Sequence, residues 1–567
     1  MTDQITLRAP RQIADAHLDA YCLLDPITAT YLGINLDDDR LPDYSPAGAA
    51  AEAELSRATL AELDASLAAG LGQDPASAEC ARLLRERLNA QLVRYEAGDL
   101  LRAVGNLHSP VHSVRSVFTM MPAETEADWQ VIAGRLRHVP GALTGYRASL
   151  AEGVARGVTA APRQVTAVLG QLATWLGEDG AAGRSWFEEF VVDGPAELRA
   201  ELDAAAQAAT AGIAELRDWL RDTYAPAVKD TRDPVGREFY LRSARQFTGS
   251  QVDVDEAYSW GWEEFRRLDI EMRAAAELVL PGSTPKEAMT HLDEHGHAIE
   301  GTEEVRVWLQ ELMDQAIEDL DGAHFDLAGP IRKVEAMLAP AGSAAAPYYT
   351  GPSLDFARPG RTWLPTLGRT TFPTWELVST WYHEGLPGHH LQIAQWALLA
   401  DQLSKYQVTI GRISANSEGW ALYAERLMDE LGYLDDPGRR LGYLDAQQMR
   451  AVRVIIDIGM HLELAIPADA DFHPGERWTP ELAREFFGRY SGRPADFLDS
   501  ELIRYLGLPG QAIGYKLGER AWLAGRAAAK AAHAERGEEF DLKAWHMKAL
   551  ALSPLGLDDL VTALSQL

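Results

Sequence analysis

The chain has 567 residues, 47% of them apolar, with 84 acidic against 53 basic residues, a formal net charge of -31 and two cysteines. That length allows several hydrophobic cores or one large helical body of two lobes, and the acidity argues against nucleic acid or an anionic membrane as partner, because phosphates would be repelled over most of the surface. Two cysteines, Cys22 and Cys80, exclude a disulfide framework and any cysteine-rich zinc site, so a transition-metal centre has to be built mainly from His, Asp and Glu.

The opening MTDQITLRAPRQIADAHLDAY lacks the basic start, apolar run and small-residue cleavage site of a secretory leader, and no 18-residue apolar run follows. A cytoplasmic protein is expected. Helical periodicity dominates from there. EADWQVIAGRLRHV predicts one helix, and in Pro195 to Tyr224 the residues Leu198, Leu202, Ala205, Ala209, Ile213, Leu216 and Leu220 keep a three-to-four spacing that predicts a long amphipathic one. EEVRVWLQELMDQAIEDL and KLGERAWLAGRAAAKAAHAERG read the same way. Strand signals are few: Arg237 to Ser243 (REFYLRS), IRKVEAML near Ile331 and RTWLPT near Arg361. A Pro/Gly-rich, strand-like stretch from Leu327 to Pro373 interrupts the helices, which places a short sheet beside the helix that follows. The expectation is a mainly α protein with a soft boundary near residue 250, giving a helical lobe at 1–250 and a second lobe at 251–567.

That following helix carries WYHEGLPGHHLQ, Trp381 to Gln392. Zinc-peptidase helices spell H-E-x-x-H, with two histidines one turn apart on the metal and a glutamate between them that activates water. Here the fourth residue after His383 is Pro387. Threonines before the segment suit N-capping and Pro373 suits a first turn, so His383 and Glu384 are expected about three turns into a helix. In an unbroken helix His390 would lie about 10 Å beyond His383, too far to share one ion. Pro387 lacks an amide hydrogen and its ring collides with the His383 carbonyl, so the helix must break. Gly388 then permits a loop that returns His389 or His390 to His383. His389 is favoured, because its Gly-His matches the ending of the H-E-x-G-H variant, and His390 is the alternative.

ISANSEGWALYAERLMDELG, with Asn416 and Ser417 as capping candidates, puts Glu418 in the first turn of a periodic helix, as a candidate third ligand. Favourable charge at a helix start would also account for it. In QQMRAVRVIIDIGMHLELA the residues Arg453, Asp457 and His461 form a polar stripe on an otherwise apolar helix. Buried charges need partners or a function. Either Arg453 pairs with Asp457, or Asp457 orients a ligand histidine while Arg453 and His461 touch substrate. Pro509-Gly510-Gln511 makes a turn before a helix carrying Tyr515, a candidate hydrogen-bond donor to an oxyanion, and Lys516. His291, His295 and His297 also have ligand spacing, but Gly296 and polar surroundings favour a solvated helix end. No G-x-S-x-G elbow, phosphate-binding loop or dinucleotide fingerprint occurs.

Taken together, H-E-x-x-P-G-H-H-L-Q at His383 to Gln392, E-G-W-A-L-Y-A-E at Glu418 to Glu425, R-A-V-R-x-x-x-D-x-G-x-H at Arg450 to His461 and P-G-Q-A-x-x-Y-K-x-G at Pro509 to Gly518 resemble the bacterial domain-of-unknown-function family numbered 885, which is grouped by similarity with gluzincin zinc peptidases. YYTGPSLDFARPGRTW from Tyr348 also resembles that family, with Asp355-Phe-Ala-Arg358-Pro-Gly360 where Asp-Gly-Ser-Arg-Pro-Gly is expected. The resemblance implies a thimet-oligopeptidase-like helical body around a deep cleft. It also implies one zinc ion held by His383, His389 and Glu418, Glu384 as general base, and Tyr515 as oxyanion donor. Hydrolysis of short peptides, of the oligopeptidase or carboxypeptidase type, follows, with Arg358 or Arg453 positioned for a C-terminal carboxylate. A zinc amidohydrolase acting on a non-peptide metabolite, or an inactive helical binding protein, are the rival readings.

Overall fold

The computed structural model describes residues 7–178, 183–340 and 346–567. Residues 1–6, the start of the segment expected to lack a leader, and 341–345, within the strand-like stretch, lie outside the described residues. The chain is mainly helical and divides into two compact units.

The first unit comprises Met1–Gln73, Leu88–Val235 and Ile503–Leu508. Its longest helix, Glu126–Arg156, starts with a capping box in which Thr125 and Asp128 satisfy each other's backbone amides. That helix buries Trp129, Leu136 and Leu143 with Leu202, Ile213 and Leu216 of Arg199–Trp219. The periodicity expected over Pro195 to Tyr224 is resolved into a 3-10 turn, this α-helix and a final π turn at Leu220–Tyr224. Gln164 donates to the Ile503 carbonyl at 2.7 Å, which ties the 503–508 segment into the unit.

The second unit comprises Asp74–Arg87, Gly236–Leu502 and Pro509–Leu567. Pro437–Leu462 runs through it with nearly every residue from Leu441 to His461 buried. Val452, Val454, Ile455, Ile456 and Ile458 are fully enclosed, each contributing about 1.5–3 kcal/mol of burial. A helix apolar on all sides belongs in a core, and its neighbour Val254–Val279 approaches where Gly261 meets Val454 and Ile455. Ser414–Glu430 and Gly514–Arg536 cross where Gly419 meets Gly518: a Cβ on Gly419 would stand 2.3 Å from the Gly518 carbonyl carbon, so only glycine allows this approach.

Two of the three strand expectations hold, and the third does not. β1 (Ala298–Glu300) pairs antiparallel with β5 (Thr371–Pro373), setting Ile299 opposite Phe372. β2 (Val334–Leu338) runs parallel to β4 (Gly360–Leu364), and β3 (Tyr348–Thr350) closes the other edge of β4 antiparallel. Arg237–Thr248, expected to begin as a strand, is a helix: Tyr240, Ser243, Ala244 and Thr248 form its buried face, a 3.6-residue period hidden inside a seven-residue window.

Candidate metal centre

The helix bearing His383 is shorter than expected. It runs from Leu377 to Glu384, with Glu376 at the N-cap position, because Thr371–Pro373 is taken by β5 and Thr374 bonds back to the His297 carbonyl. His383 therefore sits about two turns in, not three. Leu377, Val378, Trp381 and Tyr382 bury the apolar surface of the helix, while Ser379 and His383, one turn apart, share a polar face.

The break falls where Pro387 demands it. The last regular bond is Gly385 N–H to the Trp381 carbonyl at 2.8 Å, and the next helix starts at His389. Gly388 N–H reaches back to the Tyr382 carbonyl at 3.0 Å and His390 N–H to Gly385 at 3.1 Å, so the chain makes one wide turn about the ends of both helices. A Cβ on Gly388 would lie 2.0 Å from the His383 carbonyl oxygen and 2.4 Å from that of Tyr382; no larger residue fits. Trp420 Nε1 donates to the carbonyls of Pro387 (2.9 Å) and Gly388 (3.1 Å), fastening the turn to the helix that carries Glu418.

The consequence is convergence. The His383 and His389 rings lie 4.8 Å apart, nearly perpendicular at 82°. Their Nε2 atoms stand 3.4 and 3.6 Å from Glu418 Oε2. His383, Glu384 and His389 each offer a donor atom within 4.8 Å of the others, the one such group of three among the described residues. Glu418 occupies the fifth position of Ser414–Glu430, whose N-cap is Ile413. Asn416, expected to cap, instead accepts from Gln392 and donates to the Leu555 carbonyl from inside the helix.

His390 turns away from this group. Its Nε2 donates to the Ile331 carbonyl at 2.6 Å and its Nδ1 lies 2.9 Å from the Tyr349 hydroxyl, so both nitrogens are engaged with the sheet region. Burial lowers its pKa to about 4.

Glu425, the last residue of the E-G-W-A-L-Y-A-E motif and one to which the sequence assigns no role, supplies the support. Its Oε1 accepts from His383 Nδ1 at 2.8 Å and its Oε2 from Ser379 Oγ at 2.5 Å, with the carboxylate fully buried. The signal is present in the sequence: Glu425 is seven residues, two turns, after Glu418, and Ser379 is one turn before His383. Arg450 Nη2 lies 3.5 Å from Glu425 Oε1.

The electrostatics suit a cation. Burial lowers the His383 pKa, but the Glu418 and Glu425 carboxylates outweigh it and raise the value to about 9. Burial raises Glu418, yet the two facing imidazoles hold it far below the usual carboxylate range. Burial pushes Glu384 up, with the Glu418 charge adding to it. Glu418 Oε2 is buried without a hydrogen bond, an arrangement that is costly unless something positive fills the space. Bonds of about 2.0–2.1 Å opened to a tetrahedral angle put ligand atoms about 3.3 Å apart, close to the two spacings here. The donor set fits a metal ion.

The remaining expected residues are elsewhere engaged. Asp457 Oδ2, expected to orient a ligand histidine, accepts from Tyr240 Oη at 2.7 Å and from Gly510 N–H at 2.9 Å. Arg453 pairs with Glu501 at 2.7 Å, and its guanidinium lies 5.0 Å over the Tyr515 ring. His461 Nε2 is 3.8 Å from Asp457 and its ring faces Tyr240. Tyr515 is half-buried near the start of its helix, and Arg358 is exposed in the loop before β4. His291 and His295 stack on each other at 4.8 Å, and His297 Nδ1 lies 3.3 Å from Thr374 Oγ1.

Fold and site together define a mainly helical protein with a buried two-histidine, two-glutamate centre. The chain belongs to the family described as "Bacterial protein of unknown function (DUF885)", whose model matches residues 26–564. A comparison with curated proteins finds no match. Two solved structures share the fold, each described as a "putative lipoprotein". The one from Colwellia psychrerythraea has a TM-score of 0.82 at 22% identity and covers 99% of both chains. The one from Shewanella oneidensis has a TM-score of 0.74 at 17% identity, covering 98% of this chain and 99% of its own. A carboxypeptidase from Pyrococcus furiosus aligns over 71% of this chain and 97% of its own at 15% identity, with a TM-score of 0.24. No described helix is long and apolar enough to cross a membrane.

Proposed function

We propose that the protein is a zinc-dependent hydrolase of peptide bonds in short peptides. The observation that carries this reading is the approach of His383 Nε2 and His389 Nε2 to Glu418 Oε2, at 3.4 and 3.6 Å, with no hydrogen bond to that buried oxygen. His383, His389 and Glu418 hold the ion in this scheme; when bound, it supplies a Lewis acid and lowers the pKa of a water toward neutrality. Glu384 takes the proton of the attacking water and passes it to the leaving amine. Its burial, which raises its pKa, suits a group that must both accept and release a proton near neutrality. Glu425 fixes the His383 ring with Nδ1–H as donor, leaving Nε2 as the ligand atom. Tyr515 as oxyanion donor belongs to the same scheme on sequence resemblance.

The test replaces Glu384 by Gln in the zinc-loaded protein. Metal content should stay near one ion per chain by elemental analysis, while peptide cleavage falls on the order of 100-fold or more. Unchanged turnover, or a wild-type protein that takes up no divalent ion, defeats the reading. A cytoplasmic location is proposed with it, and fractionation of cells decides between that and the envelope attachment that the words used for the two look-alike proteins would imply.

A further inference from the structure

Arg450 is a charged group beside the centre to which the scheme above gives no role. It lies on Pro437–Leu462, the buried helix of the second unit, and is 7% exposed. A guanidinium carries five N–H donors in a rigid fork and keeps its charge at any physiological pH. Buried guanidinium groups are normally bonded to carboxylates or carbonyls, because unpaired donors and an unpaired charge are both costly away from water. Arg453, three residues on, follows that rule with Glu501 and the Tyr515 ring.

Arg450 does not follow it. Its Nε is buried with no hydrogen-bond partner. Its one ion pair among the described residues is Nη2 to Glu425 Oε1 at 3.5 Å, longer than a hydrogen bond between charged groups. Glu425 accepts its hydrogen bonds from His383 and Ser379, and the Arg450 charge is the largest of the influences that offset its burial. The charge is nonetheless felt across the centre, by His383, Glu384 and Glu425. Arg450 thus stands beside Glu425, the support of His383, with its Nε donor unbonded.

We propose that Arg450 is the receptor for the C-terminal carboxylate of the substrate, which makes the substrates short peptides with a free C-terminus and the cleavage site close to that end. This rests on the hydrolase reading and deepens it. The chemistry is the two-point match of a planar guanidinium to a planar carboxylate, which a peptide amide cannot make. Arg450 replaces Arg453 and Arg358, the candidates from sequence, in that role: Arg453 is committed to Glu501, and Arg358 lies exposed in a loop.

The experiment uses the full zinc-loaded chain and two pools of tetrapeptides, identical except that one ends in free carboxylates and the other in amides. Wild type should cleave the acids better than the amides by on the order of 100-fold or more in kcat/KM, since a site built to bond one group rejects the analogue that lacks it. Arg450→Gln should remove that preference, bringing the acid-to-amide ratio of kcat/KM to about one, and Arg450→Lys should restore part of it. Equal cleavage of acids and amides by wild type overturns the assignment without recourse to any variant. So does an Arg450→Gln protein that loses both activities equally, which would leave the guanidinium serving Glu425 and His383 alone. Cleavage of neither pool by wild type would count against hydrolysis itself; equilibrium dialysis of both pools against Glu384→Gln then judges the receptor separately. Selective retention of acids, lost when Arg450→Gln is added, upholds it, and equal retention sinks it.

Discussion

His383 Nδ1 lies 2.8 Å from Glu425 Oε1, and this contact leaves the opposite nitrogen of the same ring, Nε2, to face Glu418. A carboxylate behind an imidazole fixes its tautomer and raises its basicity as a ligand. Glu425→Gln keeps the shape and removes the charge, so zinc affinity should fall about 10- to 100-fold while the helical content is retained. Competition against a chelator of known affinity measures it; an unchanged dissociation constant would make Glu425 a packing residue only.

The adjacent histidines should part company on substitution. His389→Ala removes a donor from the convergent group and should abolish stoichiometric zinc. His390→Ala should leave the metal in place, because its ring bonds to Ile331 and Tyr349 instead. It should cost about 1–3 kcal/mol in stability, since the Ile331 carbonyl loses its buried partner. Metal analysis and denaturant titration of both variants check this, and zinc loss in His390→Ala with retention in His389→Ala would reverse the assignment.

The break at Pro387 is legible in the sequence because it follows from covalent facts, proline having no amide hydrogen and glycine no Cβ; those facts let either His389 or His390 return to His383, and only the Gly-His ending favours His389. The polar stripe on Pro437–Leu462 is equally legible as a stripe, since 3.6-residue periodicity is local. Its partners are not. Asp457 bonds to Tyr240, more than 200 residues away in sequence, and Arg453 to Glu501, and no local pattern encodes which distant group fills a pocket. Glu425 escapes notice for another reason: Glu418 already completes a three-ligand set, although the same helical face continues two turns further. Arg237–Thr248 passes for a strand only in a window shorter than two turns, within which Phe239, Tyr240 and Leu241 are consecutive and apolar.

Gly388 should be intolerant of even one methyl group. Its absent Cβ would press on the carbonyl oxygens of His383 and Tyr382, both backbone atoms at the end of the ligand helix. Overpacking of this kind costs about 1–3 kcal/mol, and relief requires moving His383 or His389. Gly388→Ala should therefore lose stability and zinc together, whereas Gly537→Ala, strained only by a φ of +71° with open space around it, should lose stability alone. Paired melting and metal measurements distinguish the two.

Two buried histidines should cost the fold stability as the pH falls, while Glu52, whose pKa burial raises to about 7, acts in the opposite direction over part of the same range. Burial lowers the pKa of His17 to about 4 and that of His546 to about 3. His17 Nδ1 lies 2.9 Å from Thr59 Oγ1 and His546 Nε2 2.7 Å from Tyr423 Oη, both rings buried and neutral. In the unfolded chain a histidine takes up its proton near pH 6.5. As pH falls below that value the unfolded state binds protons that the folded state refuses, and stability declines until the folded pKa is reached. For His17 the loss amounts to about 3 kcal/mol between pH 6.5 and 4, and for His546 the decline continues to about pH 3. Urea unfolding at intervals across this window should show a smaller loss above pH 4 in His17→Gln than in wild type, with the His546 share remaining. A His17→Gln protein whose stability changes with pH as steeply as wild type would mean that the His17 ring reaches water in the folded protein.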